Sequence, residues 1–375
     1  MRSPLNRRAR WAAPVAVAGA IALGAWIPTV TASASPPNLP PLSAAQVLAK
    51  ASHPTLKAFS GTVELTANLG LPDLGSVTNG DNQSTKSAAG FDPTALLSGT
   101  HDINVWDNGA DQQRLQLQSS LAETDFVHNG KDAYLYSSES QTVTHLVPGA
   151  RTSSQPDVTR GGADTADGTV PMTPEQVAQK FLNHIDPSTT VTVAPPVSMD
   201  GISRSAYQLT LAPKAGTPAA AASTVSDVTM AVDAGTGTVL SVSVNAKGAA
   251  PALKVAFTSF SEATPAASNF AAPVGTTTRT QTIGGGRSGT DSPANHAGGS
   301  KPTVTGAPWA QVVTFAHTEL GRSTKQLNAL TTPVTGGFGS AQLLSTNLIN
   351  ALVFPDGKVV VGFVTPGALE AAAAG

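Results

Sequence analysis

The sequence predicts an α+β fold: a strongly curved antiparallel sheet wrapped around helices, followed by a small C-terminal α/β-hairpin module. Three observations predict it. Apolar residues recur at every second position between Gly99 and Leu146, as Ile103 and Val105, Leu115 and Leu117, then Tyr134 and Tyr136, which is the period of a half-buried strand. Short turn signals at Asn108-Gly109, Asn129-Gly130 and Ser137-Ser138 separate these runs, so neighbouring strands run antiparallel. The order of segments is helix, strands, helix, strands, with local connections. A sheet with one apolar face must cover it with helices, close on itself, or hold something apolar.

Arg2, Arg7, Arg8 and Arg10 precede an almost wholly apolar run from Trp11 to Ile27. Ala32-Ser33-Ala34 then offers a small-x-small cleavage site between Ala34 and Ser35. Residues 1–34 therefore read as a signal peptide or an N-terminal membrane anchor, and the protein as exported, in the cell envelope or secreted. The chain has no cysteine, which excludes disulfides and a lipid-modified cysteine after the signal. Cleavage would remove four arginines and no acidic residue from a chain of net charge −2. A mildly acidic, lysine-poor surface argues against nucleic acid as partner.

Residues 35–41 are a Pro-rich tether. Ser43 caps an amphipathic helix presenting Val47, Leu48 and Ala51, and Ser60-Gly61 opens a strand with Val63, Leu65, Ala67 and Leu69 on one side. Residues 72–93 form an aperiodic loop. Strands follow near 100–106, 112–119, 121–128, 132–137 and 141–147, then a second aperiodic loop over 148–171. Thr173-Pro174-Glu175-Gln176 starts a helix with a capping box that presents Val177, Phe181 and Ile185. Five more strands read at 190–197, 204–212, 225–233, 238–246 and 253–261, with a short helical turn at 266–270. The main domain thus spans 42–274. Residues 275–308 are Gly/Ser/Thr-rich and read as a linker. The module over 309–370 reads as a helix at 310–320 and a hairpin of 342–354 with 358–364, turning at Pro355-Asp356-Gly357.

Chemistry is sparse. The histidines at 53, 101, 128, 145, 184, 296 and 317 never pair at the i, i+4 spacing of a helical metal site, although His101, His128 and His145 fall on strands that could bring them together. Gly284-Gly285-Gly286 has no strand before it and no Lys-Thr after it, so it reads as linker, not as a phosphate cradle. No Gly-x-Ser-x-Gly elbow is present, and Ser119, Ser120, Asp125 and His128 are too close in sequence to imply a triad. Glu123 and Asp125 share one strand face with Leu121 and Val127 in the same phase, and read as a solvated sheet edge or, if that face meets a cavity, as carboxylates at its mouth. The expectation is a protein without enzymatic activity, metal or cofactor.

The run Gln113-Arg114-Leu115, then Asp125 to Tyr136 through Asn129-Gly130, then Gln141-Thr142-Val143-Thr144 resembles the LolA/RseB-like superfamily of lipoprotein carriers. Asn129-Gly130 matches its hairpin turn, Tyr134 stands at its usual Trp position and Tyr136 matches its Tyr. Ala206 to Leu211 and Val232 to Val239 look like its later strands, so the likeness covers about 42–274. It implies an unclosed β-barrel with helices in its mouth and an apolar cavity, in an exported monomer that binds acyl chains, lipids or lipoproteins. The candidate cavity-lining residues are Val63, Leu65, Ile103, Val105, Leu115, Leu117, Tyr134, Tyr136, Phe181, Val228, Met230, Val242 and Val244. Carriers of this kind lock their lid with a basic residue on the strand matching 103–107. Here that strand reads Ile103-Asn104-Val105-Trp106-Asp107, so the role does not transfer. The alternative is an extracytoplasmic regulator that senses envelope stress, with the C-terminal module meeting a membrane-bound signalling protein.

Overall fold

The computed structural model describes residues 37–70, 96, 99–118, 122–148, 173–182, 185, 187–283, 302–316 and 330–375. The expected signal and its cleavage site, Ala34 and Ser35, lie outside these residues, as do both aperiodic loops almost entirely.

The first helix, α1 (Ala44–Ser52), begins where the sequence places its cap. Ser43 Oγ accepts the Gln46 N–H while the Gln46 side chain bonds back to the Ser43 N–H. The meander β1 (Phe59–Ala67), β2 (Thr100–Asp107), β3 (Gln112–Gln118), β4 (Glu123–Asn129), β5 (Asp132–Ser137) and β6 (Thr142–Pro148) follows. Helix α2 (Pro174–Leu182) is capped by Thr173 through the Gln176 N–H. The second meander is β7 (Thr189–Met199), β8 (Arg204–Pro213), β9 (Val225–Asp233), β10 (Val239–Ala246) and β11 (Ala249–Ser261), with a short helix α3 (Pro218–Ala222) between β8 and β9.

A single sheet joins the two meanders because β11 pairs antiparallel with β1. Its order is β12-β6-β5-β4-β3-β2-β1-β11-β10-β9-β8-β7. The edge strands β12 (Thr277–Ile283) and β7 do not pair with each other, so the sheet is extended and unclosed. Helix α1 packs on β7, β8 and β9, and α2 packs on β10 and β11. One buried cluster runs through both halves, from Leu115 and Leu135 to Met230 and Leu209, and includes Val47, Ala51, Val177 and Ala178 of the helices.

Three expectations need correction. Residues 277–283 are not linker: Thr277 to Ile283 form β12, parallel to β6 from Thr277–Thr142 to Ile283–Pro148. Threonine is β-branched and polar, so a Thr-rich run resembles a linker by composition while favouring an edge strand by conformation. Residues 312–315 are a strand, β14 (Val312–Phe315), and not part of a helix, since Val312 and Val313 pair with Gly362 and Val361 and a β-branched pair favours the sheet. The long strand expected over 342–354 is broken into β16 (Gly339–Ser345) and β17 (Asn350–Val353). Thr346 causes the break, its hydroxyl accepting the Leu348 and Ile349 N–H groups, a local turn that competes with the ladder. The hairpin of β17 with β18 (Val359–Gly362) turns at Pro355-Asp356-Gly357 as read. The C-terminal part is a second sheet, ordered β13-β14-β18-β17-β16-β15, with β13 (Thr303–Thr305), β15 (Thr331–Gly336) and a final helix α4 (Pro366–Ala374).

Candidate functional site

The core face of the long sheet is built by register. Leu65 pairs with Val255, Val255 with Val242, Val242 with Met230, Met230 with Leu209 and Leu209 with Val193. Directly paired residues present side chains on the same face, so these form one apolar row across the second meander and β1. Val244 and Val228 pair one rung away. In the first meander Val63, Ile103 and Leu117 make one row, and Val105, Leu115, Phe126 and Leu135 the next. Of the expected lining residues, Val63, Leu65, Ile103, Val105, Leu115, Leu117, Val228, Met230, Val242 and Val244 share this face, and none exceeds 9% exposure.

Helices cover only part of it. Strands about 4.8 Å apart give a sheet of this many strands a span of about 50 Å, whereas a nine-residue helix is about 14 Å long and about 10 Å wide. In this state the remainder is buried by the core cluster itself and by residues such as Leu69, Leu96 and Leu348.

Tyr134 and Tyr136 do not belong to this face, which corrects the sequence reading. Leu135 between them pairs with Phe126 on the core side, so both tyrosines point the other way. Tyr134 stacks on His145 with ring centroids 4.8 Å apart, and Tyr136 pairs with Asp125. The strand is apolar in both phases at this point, and the signal that separates them is Asp132, which shares the tyrosines' phase. Phe181 lies on α2, but its side chain is outside the described ones. The three strand histidines do not meet. His101 and His128 are on the core face, while His145 is on the outer face with Nε2 2.9 Å from Asp132 Oδ1. Among the described residues no group of three His, Asp or Glu could hold a metal, and Ser119 and Ser120 lie outside them.

Asp125 is not at a solvated edge. It sits on β4, inside the sheet and 2% exposed, with Arg114 Nη2 donating to its Oδ2 at 2.6 Å. Arg114 also lies over the Trp106 ring at 5.4 Å. A strap formed by residues 262–276 crosses this outer face to deliver β12 to β6, and its short helical turn at Ala267–Phe270 packs on β3 and β4. Phe270 is fully buried there, Asn129 Nδ2 donates to its carbonyl at 3.1 Å, and Arg114 Nη1 donates to the Asn269 carbonyl. Burial pushes the Asp125 carboxyl up to about 6, against the lowering influence of Arg114. On the core face, burial pushes the Asp107 carboxyl up to about 6 against bonds from Gly109 and Gln113 that lower it. Sequence reasoning missed this Arg114–Asp125 pair because its partners and its cover come from three separated segments.

No family model matches the chain, and no curated protein matches it. Solved structures do. The MucA/MucB complex of Pseudomonas aeruginosa is similar at 13% identity and a TM-score of 0.39, over 88% of this chain and 95% of that one. An uncharacterised conserved protein from Thermus thermophilus matches at 8% identity and 0.34, over 64% and 99%. A LolA superfamily protein from Nitrosomonas europaea matches at 9% identity and 0.19, over 86% and 90%. At these identities and TM-scores the likeness says nothing of binding.

Proposed function

We propose that the protein is an exported, non-enzymatic binder or carrier of acyl chains or lipoproteins, which it takes up on the core face of its unclosed sheet. The observation that carries this reading is the apolar row from Leu65 to Val193, continuous across an open sheet whose two covering helices are far smaller than the face. A long acyl chain gains about 0.8 kcal/mol per buried methylene, so a chain of lipid length needs a face of this extent to travel through water. In the form described here the face is closed by its own packing, and binding requires α1 and α2 to move off it. Helices of this length hold their position by tertiary packing, not by intrinsic stability, which suits them to a lid.

The test is organic extraction and native mass spectrometry of the protein purified from the cell envelope, followed by reloading with a palmitoylated peptide. Met230→Glu places a charge in the middle of the row. The expected result is co-purifying lipid in the natural protein and its loss in a Met230→Glu variant that still folds. An empty natural protein that also refuses the peptide sinks the reading. The alternative of a regulator rests on the C-terminal module, which is fixed to the end of the sheet through Thr224 N–H to the Phe363 carbonyl and Thr365 N–H to the Ala222 carbonyl. That reading gains if the empty protein captures a membrane-bound signalling protein.

A further inference from the structure

At the end of the long sheet away from the C-terminal module, the core face changes character. The row there runs Phe59, Asp107, Gln113, His128, Ala133 and Leu146. Gln113 is 9% exposed, and its Nε2 donates to Asp107 Oδ2 at 3.0 Å. Asp107 Oδ1 is taken by the Gly109 N–H at 2.9 Å. Gln113 Oε1 and His128 Nδ1 are both buried and have no partner. These two residues are directly paired on adjacent strands, which places their side chains about 5 Å apart at the base. Phe59, which pairs with Asp107 in this row, forms an aromatic cluster with Phe257 and Phe260 of β11, with centroid separations of 5.0 to 5.8 Å.

We propose that Gln113 and His128 form the polar subsite of the core face and receive a neutral secondary amide at the head of a bound acyl chain. The proposal rests on the reading of that face as an acyl site. Buried polar groups are normally satisfied, so an acceptor and a ring nitrogen held side by side without partners describe the complement of a missing group. Gln113 Oε1 is a carbonyl oxygen and can only accept, and the bond from Gln113 Nε2 to Asp107 Oδ2 fixes which end of the amide is the oxygen. The missing group must therefore bring a donor to it. His128 Nδ1, as N–H, can donate to the carbonyl of the same amide. The row carries no Lys or Arg, and the Asp107 carboxylate stands against an anionic head, so phosphate and free carboxylate are rejected. An ester, with acceptors only, leaves Gln113 Oε1 unsatisfied.

The amide can come from the acylated N-terminus of a protein or from a small acyl amide. The full chain is titrated with N-palmitoylethanolamide, an N-palmitoylated tetrapeptide and methyl palmitate, in competition with a fluorescent alkyl probe. The expected result is about tenfold tighter binding of an amide than of the ester, one buried hydrogen bond's worth. Gln113→Leu should bring the two within about twofold while leaving methyl palmitate unchanged. His128→Leu should act in the same direction, and it decides the matter if Gln113→Leu fails to melt cooperatively. Tighter binding of the peptide names a protein N-terminus as source, and tighter binding of the ethanolamide names a small lipid. Equal affinities in the natural protein, or a preference that survives the folded variants, overturns the subsite while leaving the core-face reading intact. If none of the probes binds, the core-face reading falls and the subsite falls with it.

Discussion

Asp125 and Asp107 are the two residues in which burial and charge oppose each other most directly. The Asp125 carboxyl is 2% exposed, and its Oδ1 has no hydrogen-bond partner although Arg114 holds Oδ2. Both carboxyls stand near 6 when folded against an ordinary value of 3.8. A raised carboxyl binds its proton more tightly in the folded chain than in the unfolded one. Its contribution to stability is therefore complete below about 4 and is lost as pH climbs through about 6. Measured by thermal unfolding across this window, the natural protein should gain on an Asp107→Asn/Asp125→Asn double variant as pH falls. A constant difference between the two would show that neither carboxyl is desolvated. The sequence pointed to Asp125 and Glu123 as a pair and to Arg114 as a basic residue on the preceding strand, but it could not show that a strap from residues 262–276 seals Asp125 from water.

Among the elements, that strap carries the least regular structure for the work it does. It must turn from the outer face into β12, and Gly275 makes the turn. A Cβ there would stand 2.7 Å from the Gln141 carbonyl oxygen and 2.9 Å from Val143 Cγ2. The carbonyl belongs to the backbone turn residue just before β6, whose Thr142 is already paired in the sheet, and it cannot swing aside. Gly275→Ala should therefore cost about 1–3 kcal/mol, the usual range for forced overpacking. Urea unfolding followed by backbone circular dichroism would check it, and an unchanged midpoint would mean that the strap yields freely. Helix starts at Ser43 and Thr173 were legible because capping is a local exchange of hydrogen bonds. Strand β12 was not legible, because a parallel edge strand takes its identity from a distant neighbour, β6.

For the whole molecule the question is whether sheet and module unfold together. Asn347 N–H donates to the Leu69 carbonyl at 2.8 Å, Trp309 Nε1 donates to Thr189 Oγ1 at 2.9 Å, and Thr224 Oγ1 donates to the Leu348 carbonyl. Leu348, from the turn between β16 and β17, is 2% exposed and joins the core cluster of the long sheet, not that of its own module. Leu348→Ala should therefore cost about 2–5 kcal/mol, as large-to-small core changes do, and should lower the unfolding of both parts in one calorimetric transition. Two separate transitions, with only one shifted, would show that the module is an independent appendage.

Period-two alternation, turn dipeptides and helix caps by themselves determined the strands of the two meanders, most of their boundaries and the helices α1 and α2, because these signals act within a few residues. They also determined which residues of the stripe share a face wherever one phase is clearly apolar. Tertiary structure alone decided the phase of Tyr134 and Tyr136, the sealing of Asp125, and the stranding of Gln113 Oε1 and His128 Nδ1 at the far end of the core face. It also decided that β1 joins the two meanders through β11. Each of these depends on groups brought together from distant parts of the chain, and pairing between strands far apart in sequence leaves no local periodicity to read.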